Sequence, residues 1–448
     1  MSNHVARFLL SIASFVLGMS TSVNAAIGLH AAAADTWPQW RGPRGDGISS
    51  AADLPISWAD DSGIKWKCPL PPWGASTPAI WDDAVFVTTQ ADDERLLLLR
   101  IDAKKGDIVW TREVGRERTP RAAQLRKSGE ERRAQKFHNT HNLATPSPVT
   151  DGQLVVCHFG NGLLAAYDFD GNKLWARTLQ EEHGKYTIWW GHGNSPILYN
   201  DLVINVCMQD SLSDLGGEPS PSYITAYHKR SGAPAWKVLR PTAATAESCD
   251  SYTTPILRQN NNRTEMIVWG GQILDAYDPQ TGKKLWELTG LSGNRVIPSP
   301  VMYSETIFAI QGMRQALLAV RPSGDGPRPR SDIVWKFDQG TSDSPSPIVV
   351  GEQLFMISND GVLRCFDPAD GRLLWKERLK GEYRASPIAA AGRLYFVNMK
   401  GLATVVSASR RYDKLTENQL DDEFVASPAV AHGCLYLRGK NALYCIGR

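Results

Sequence analysis

Two short stretches of the chain gather side chains able to do chemistry: His138-Asn139-Thr140-His141-Asn142 and Trp189-Trp190-Gly191-His192-Gly193-Asn194. Two imidazoles three residues apart are able to share a metal ion, but a complete site takes three or four ligands, so they read first as surface or hydrogen-bonding histidines. Arg295, Asp343 and Arg384 each stand just before a Ser-Pro pair. Charges so placed either hold a ligand or pair off with one another. The stretch from Arg112 to Lys136 carries nine Lys/Arg and four Glu. Thr119-Pro120 is placed to cap a short helix there, a solvated insertion that in a second reading docks an anionic surface. No Gly-x-Ser-x-Gly elbow and no His-Glu-x-x-His pair is present, which leaves a hydrolase without an anchor. The seven cysteines (68, 157, 207, 249, 365, 434 and 445) are odd in number and widely scattered, so they form no disulfide framework. There is no Cys-x-x-Cys-His for covalent haem and no adjacent cysteine pair.

What positions these groups is a repeat. Eight Ser/Thr-Pro pairs form a spaced series, at Pro78, Pro148, Pro196, Pro255, Pro300, Pro347, Pro387 and Pro428. After each comes an apolar, β-rich run such as Leu154-Val155-Val156-Cys157, and often a third run ending in an acidic residue, as in Ala276-Tyr277-Asp278. Gly-x-x-x-Trp then follows five times, at Trp110, Trp175, Trp236, Trp286 and Trp375. Proline suits the first residue of a strand, Asp-to-Gly is hairpin chemistry, and a ring on the fourth strand can pack across to a neighbouring unit. Four short antiparallel strands repeated every ~45 residues describe an all-β, eight-bladed β-propeller, with seven blades as the alternative. The eighth copy stops after three strands at Ile446. Ile64-Lys65-Trp66-Lys67 near the other end supplies a fourth, and so closes the ring. Trp66 and Trp335 complete the set of structural tryptophans, of which Trp175, Trp286 and Trp375 are expected to be largely buried.

The composition agrees. Of 448 residues, 42% are hydrophobic and 21% charged, with a net charge of +2, which argues against a nucleic-acid binder. Gly (38), Pro (27) and Trp (15) are plentiful, as many turns and short strands require. Residues 1–34 read as a signal peptide and leader: Arg7 precedes an apolar run from Phe8 to Met19, and cleavage is placed after Ala25 or near Ala34. Residues 35–63 then form an N-terminal wrapping segment and 64–448 the propeller. No later run is long enough for a transmembrane helix.

Ser-Pro, the apolar strand, Ala-Tyr-Asp and Gly282-Lys283-Lys284-Leu285-Trp286 resemble the repeats of the pyrroloquinoline-quinone (PQQ)-type propeller superfamily, over residues about 64–448. That superfamily includes quinoprotein alcohol dehydrogenases, the propeller component of the outer-membrane β-barrel assembly machinery, and many exported bacterial proteins without a defined activity. The leader Trp37-Pro38-Gln39-Trp40-Arg41-Gly42-Pro43 resembles the start of that last group. Gly191-x-Gly193-Asn194 is similar to a glycine-asparagine stretch of the dehydrogenases, and by that resemblance Asn194 is a calcium ligand beside the quinone.

In a propeller of this kind the long insertions fall on one face, over the first four blades, and binding resides on such loops. Trp190, His192, Asn194, Asp250, Tyr252, Arg295, Asp343 and Arg384 all stand at the entry to an innermost strand. The ring therefore gathers them about one funnel, which is either a polar-ligand pocket or a plug of mutually satisfied groups. The expected function is that of an exported, periplasmic or extracellular, non-catalytic binding or assembly module. It works without a cofactor, and its partner is a protein or cell-envelope component on the loop-rich face. The alternative is a PQQ- and Ca²⁺-dependent dehydrogenase.

Overall fold

Each Ser/Thr-Pro pair feeds a short innermost strand, because proline's fixed φ suits extended backbone and its missing N–H costs nothing at a strand start. In blade 6, Ile348–Val350 is followed outward by Gln353–Ile357, Val362–Phe366 and Leu373–Arg378, all antiparallel. The same order recurs in eight sheets, so the chain is an eight-bladed β-propeller. The computed structural model describes residues 36–60, 62–118, 136–209, 212, 221–260, 263–313 and 315–447. The signal peptide, the helix expected at Thr119-Pro120 and most of the 209–221 loop lie outside the described residues.

Closure follows the sequence pattern. Ile64–Pro69 pairs antiparallel with the last strand, Ala442–Ile446, with Trp66 opposite Cys445 and Cys68 opposite Leu443. Two belts of side chains then tie blade to blade. On the inside, the N–H of each Ser/Thr before proline donates to the hydroxyl of the next blade's equivalent residue. This holds from Thr77 N to Ser147 Oγ at 2.9 Å through to Ser386 N to Ser427 Oγ at 3.0 Å. The ring is completed by Thr77 Oγ1 donating to Ser427 O at 3.1 Å.

On the outside, the repeat tryptophans reach across. The indole N–H groups of Trp66, Trp110, Trp175, Trp335 and Trp375 donate to backbone carbonyls of the following blade at 2.9–3.1 Å. The repeat glycine is required twice over. Gly282 has φ +73°, and a Cβ there would meet the Trp236 ring at 2.6 Å. Trp175 (8% exposed) and Trp286 (1%) are buried as expected, whereas Trp375 is only half-buried. The Trp375 ring packs against Tyr412 and Phe355, with centroids 5.3 and 5.9 Å away. Blade 7 has no tryptophan of its own. There Asn418 accepts the Trp58 N–H and donates to Ile56 O, both at 2.9 Å, so the N-terminal segment brings a buried Trp58 to that strand.

The rest of this segment runs along the inner strands. Trp37 bridges Ile80, Pro38 O accepts from Thr150 N, Arg41 donates to Pro347 O, and Ile48 bridges Ala389. Residues 37–48 thus touch blades 1, 2, 6 and 7 from inside the ring.

Candidate functional site

Above this segment the axis of the ring holds a cavity of about 250 Å³. Trp40 and the belt hydroxyls Ser147, Ser195, Thr254, Ser386 and Ser427 line it on one side, and the loop residues His138, Trp190, Tyr252, Arg295, Asp343 and Arg384 on the other. Five of the eight residues expected at the funnel (Trp190, Tyr252, Arg295, Asp343 and Arg384) therefore do meet, from blades far apart in sequence.

The other three lie behind the wall and hold it up. His192 is buried and tilted against Tyr186 with ring centroids 4.0 Å apart, and its ring nitrogens face Asn194 Oδ1 at 3.3 Å and Cys207 Sγ at 3.6 Å. Asn194 Nδ2 donates to Val206 O at 2.5 Å, and Asp250 accepts the Trp189 N–H at 3.1 Å. Gly191 serves packing: at φ +80° a Cβ would strike the Phe137 ring at 2.3 Å.

The charges are unevenly matched. Arg295 pairs with Asp343 at 2.9 Å and lies 3.5 Å from Glu247. Burial works to lower the pKa of this guanidinium, but Asp343 outweighs that and holds it above the usual value. Glu247 also accepts the Trp190 indole N–H at 2.8 Å. Arg384 makes no ion pair among the described residues; Nη1 donates to Ser344 Oγ at 3.2 Å and its buried Nε has no partner. Both neighbouring carboxylates, Asp343 and Glu247, are thus engaged by Arg295, and Arg384 has none. Burial, then Arg384 and Arg295, keep His138 below its ordinary pKa, with Asp343 acting the other way. His141 is driven to about 3 by burial and bonds Thr145 Oγ1 at 2.6 Å. His158 and His192 are likewise held near 4 and 3 by burial. All three imidazoles are neutral.

Sequence reasoning missed Trp40 and the belt hydroxyls as cavity wall. The aromatic leader Trp37–Trp40, which matches no repeat, was the available sign. The His138/His141 pair does reach the cavity, but among the described residues no three His, Cys, Asp or Glu side chains are grouped to hold a metal. All seven cysteines are buried and none is in a disulfide.

Comparison with known proteins places this geometry. BamB from Moraxella catarrhalis superposes with a TM-score of 0.57 at 12% identity, covering 86% of this chain and 99% of that one. Quinohemoprotein alcohol dehydrogenase from Comamonas testosteroni superposes with 0.63 at 13% identity, covering 92% and 81%. At these identities the likeness is one of fold. The glycerol dehydrogenase large subunit of Gluconobacter oxydans is 28% identical over 109 residues, which are 24% of this chain and only 13% of that one. The family described as outer membrane protein assembly factor BamB matches residues 49–189, 126–358, 328–411 and 359–446. With its eight blades, its repeats and almost its whole length accounted for, the chain belongs to this PQQ-repeat propeller family.

Proposed function

We propose that the protein is an exported, non-catalytic binding module whose loop-bearing face receives a protein or cell-envelope partner and whose axial cavity takes an anionic group of that partner. The observation that carries this reading is Arg384, a cavity-lining guanidinium without a carboxylate among the described residues, which shares the cavity wall with Trp190, Tyr252 and Trp40. Such a wall favours an acidic, flat-faced group, and arginine is the side chain suited to grip it. The kinship with an outer membrane protein assembly factor supports an assembly role in the envelope. Among the described residues no helix is long and apolar enough to cross a membrane.

A dehydrogenase using PQQ and Ca²⁺ is the second reading, favoured by the fold shared with quinohemoprotein alcohol dehydrogenase. The residues present do not fit its calcium. Ca²⁺ takes six to eight oxygen ligands. Here Asn194 Oδ1, the atom calcium would take, faces His192 Nδ1 at 3.3 Å behind the wall, and the cavity carboxylate Asp343 is spent on Arg295.

One experiment separates the two. Purified protein is incubated with micromolar PQQ and Ca²⁺, desalted, and examined for retained quinone absorbance. Retention would overturn the binding-module reading. In parallel, a photo-crosslinker placed at Thr140 on the mouth should capture an envelope partner, and Arg384→Ala should abolish that capture, whereas a crosslinker at exposed Leu373 on the outer rim should capture nothing.

A further inference from the structure

Strand pairing places Arg438 at the mouth end of the second strand of blade 8, two residues beyond Tyr436, which sits opposite Ala429. At the same place blades 3, 5, 6 and 7 carry Val206, Ile310, Ile357 and Val397, and no other blade carries a charge. The fold therefore has no need of a guanidinium there. Arg438 is nevertheless 1% exposed and forms no ion pair among the described residues. Its Nη1 donates to Ser76 Oγ and Ser76 O, while the buried Nε has no partner. Asp422, packed against Gly439, is occupied by Asn441, the Glu423 N–H and the Tyr444 hydroxyl. Burial with no compensating carboxylate lowers the Arg438 pKa to about 9.

Arg438 lines a pocket of about 100 Å³, whose wall also includes Trp73, Asn139, Phe424 and the Lys440–Glu423 pair at 3.7 Å. A cavity needs only ~10–15 Å³ to admit one water, so this one has room for a small polyatomic ion. We propose that the pocket is an oxyanion site, in which a carboxylate or phosphate group pairs with the Arg438 guanidinium, Lys440 supplies a second cation at the rim and Asn139 a neutral donor. It is separate from the axial cavity but shares Thr140 and Val425 with it, so the two occupants would lie side by side. The inference does not depend on the function proposed for the axis.

The test is thermal unfolding of the full chain at constant ionic strength, titrated with inorganic phosphate or with acetate. A ligand that binds only the native state raises the melting temperature along a saturation curve. Wild type should show that curve. A response to phosphate alone identifies a phosphate group as the occupant, and one to acetate alone a carboxylate. Arg438→Leu, which copies the apolar residue of the other blades, should fold, melt no lower than wild type without added anion, and lose the saturable rise. Lys440→Ala should weaken binding several-fold, and Lys376→Ala, an exposed lysine of an outer strand that lines neither cavity, should leave it unchanged. If Arg438→Leu fails to fold, equilibrium dialysis of radiolabelled phosphate or acetate decides, run on an Arg384→Ala background that silences the axial cavity: one site per chain, weakened by Lys440→Ala and untouched by Lys376→Ala. A linear, unsaturating rise in wild type overturns the proposal, as does an equal response in Arg438→Leu.

Discussion

The connections that enter blades 2, 3 and 4 differ from those that enter blades 6, 7 and 8. The latter span 338–347, 379–387 and 420–428, tight stretches that carry little beyond the repeat. The former span 117–148, 179–196 and 240–255; His192, Asn194 and Asp250 are buried on them, and Asn194 meets both His192 and the strand residue His158. Between strands of the same register, blade 2 buries an imidazole at 158 where blade 6 buries Ile357. The comparison teaches that one half of the ring is built for regularity and the other half departs from it where polar groups are to be held. Buried neutral histidines cost stability in acid that isoleucines do not.

The largest break in this comparison comes from removing closure. Deleting residues 36–69 takes away the Ile64–Pro69 strand and leaves blade 8 with an open edge, so the regular half should lose its advantage entirely. The variant should aggregate or melt far below the full-length protein; an unchanged melting curve would show that blade 8 closes by itself. Next, Trp286→Ala should cost about 3–5 kcal/mol, as fully buried aromatic truncations do. Half-buried Trp375→Ala should cost clearly less, and equal losses in urea unfolding would mean that burial does not set the order. Ser346→Ala removes the acceptor of the Ser299 N–H and should cost about 1–3 kcal/mol, the penalty for an orphaned buried donor.

A finer test is titration. His141, His158 and His192 have folded pKa values of about 3, 4 and 3, below the unfolded value of 6.5. Between those limits the unfolded chain binds the extra protons. The stability they contribute is therefore complete above about pH 6.5 and is lost as pH falls toward 4 and 3. Each adds a slope of up to about 1.4 kcal/mol per pH unit in that window. His158→Gln should flatten urea-unfolding stability against pH by about one such slope, and Arg384→Ala should not. The smallest effect is expected at the rim: Leu373→Ser, on an exposed outer strand, should change stability by less than about 0.5 kcal/mol.

The ring of blades was legible in the sequence because its signals recur. Ser-Pro, the Asp-to-Gly turn and the tryptophan each mark a strand, and Ile64–Lys67 reads as the missing fourth strand of an incomplete eighth copy. The site was legible only in part. Arg295, Asp343 and Arg384 stand four, three and two residues before the serine of a Ser-Pro pair, and the ring carried them to one cavity. His192 and Asn194 stand at comparable offsets, but whether a side chain on a loop faces the axis or the blade behind it depends on its local backbone. Here the positive φ of Gly191 and the Phe137 ring turn both residues inward. Trp40 had no repeat position at all, so nothing in the spacing could bring it to the axis.

The two belts have a mechanical consequence. All eight junctions are tied near the axis by a hydroxyl, and five of them are clamped again near the rim by an indole N–H, where a blade can neither tilt nor slide without breaking both. The bore of the ring is thereby fixed before anything arrives. A ligand at the axis cannot be grasped by blades closing like jaws; it must match a preset diameter, and any adjustment is left to the loops above. Such a scaffold loses little conformational freedom on binding, and its selectivity is that of a gauge rather than a clamp.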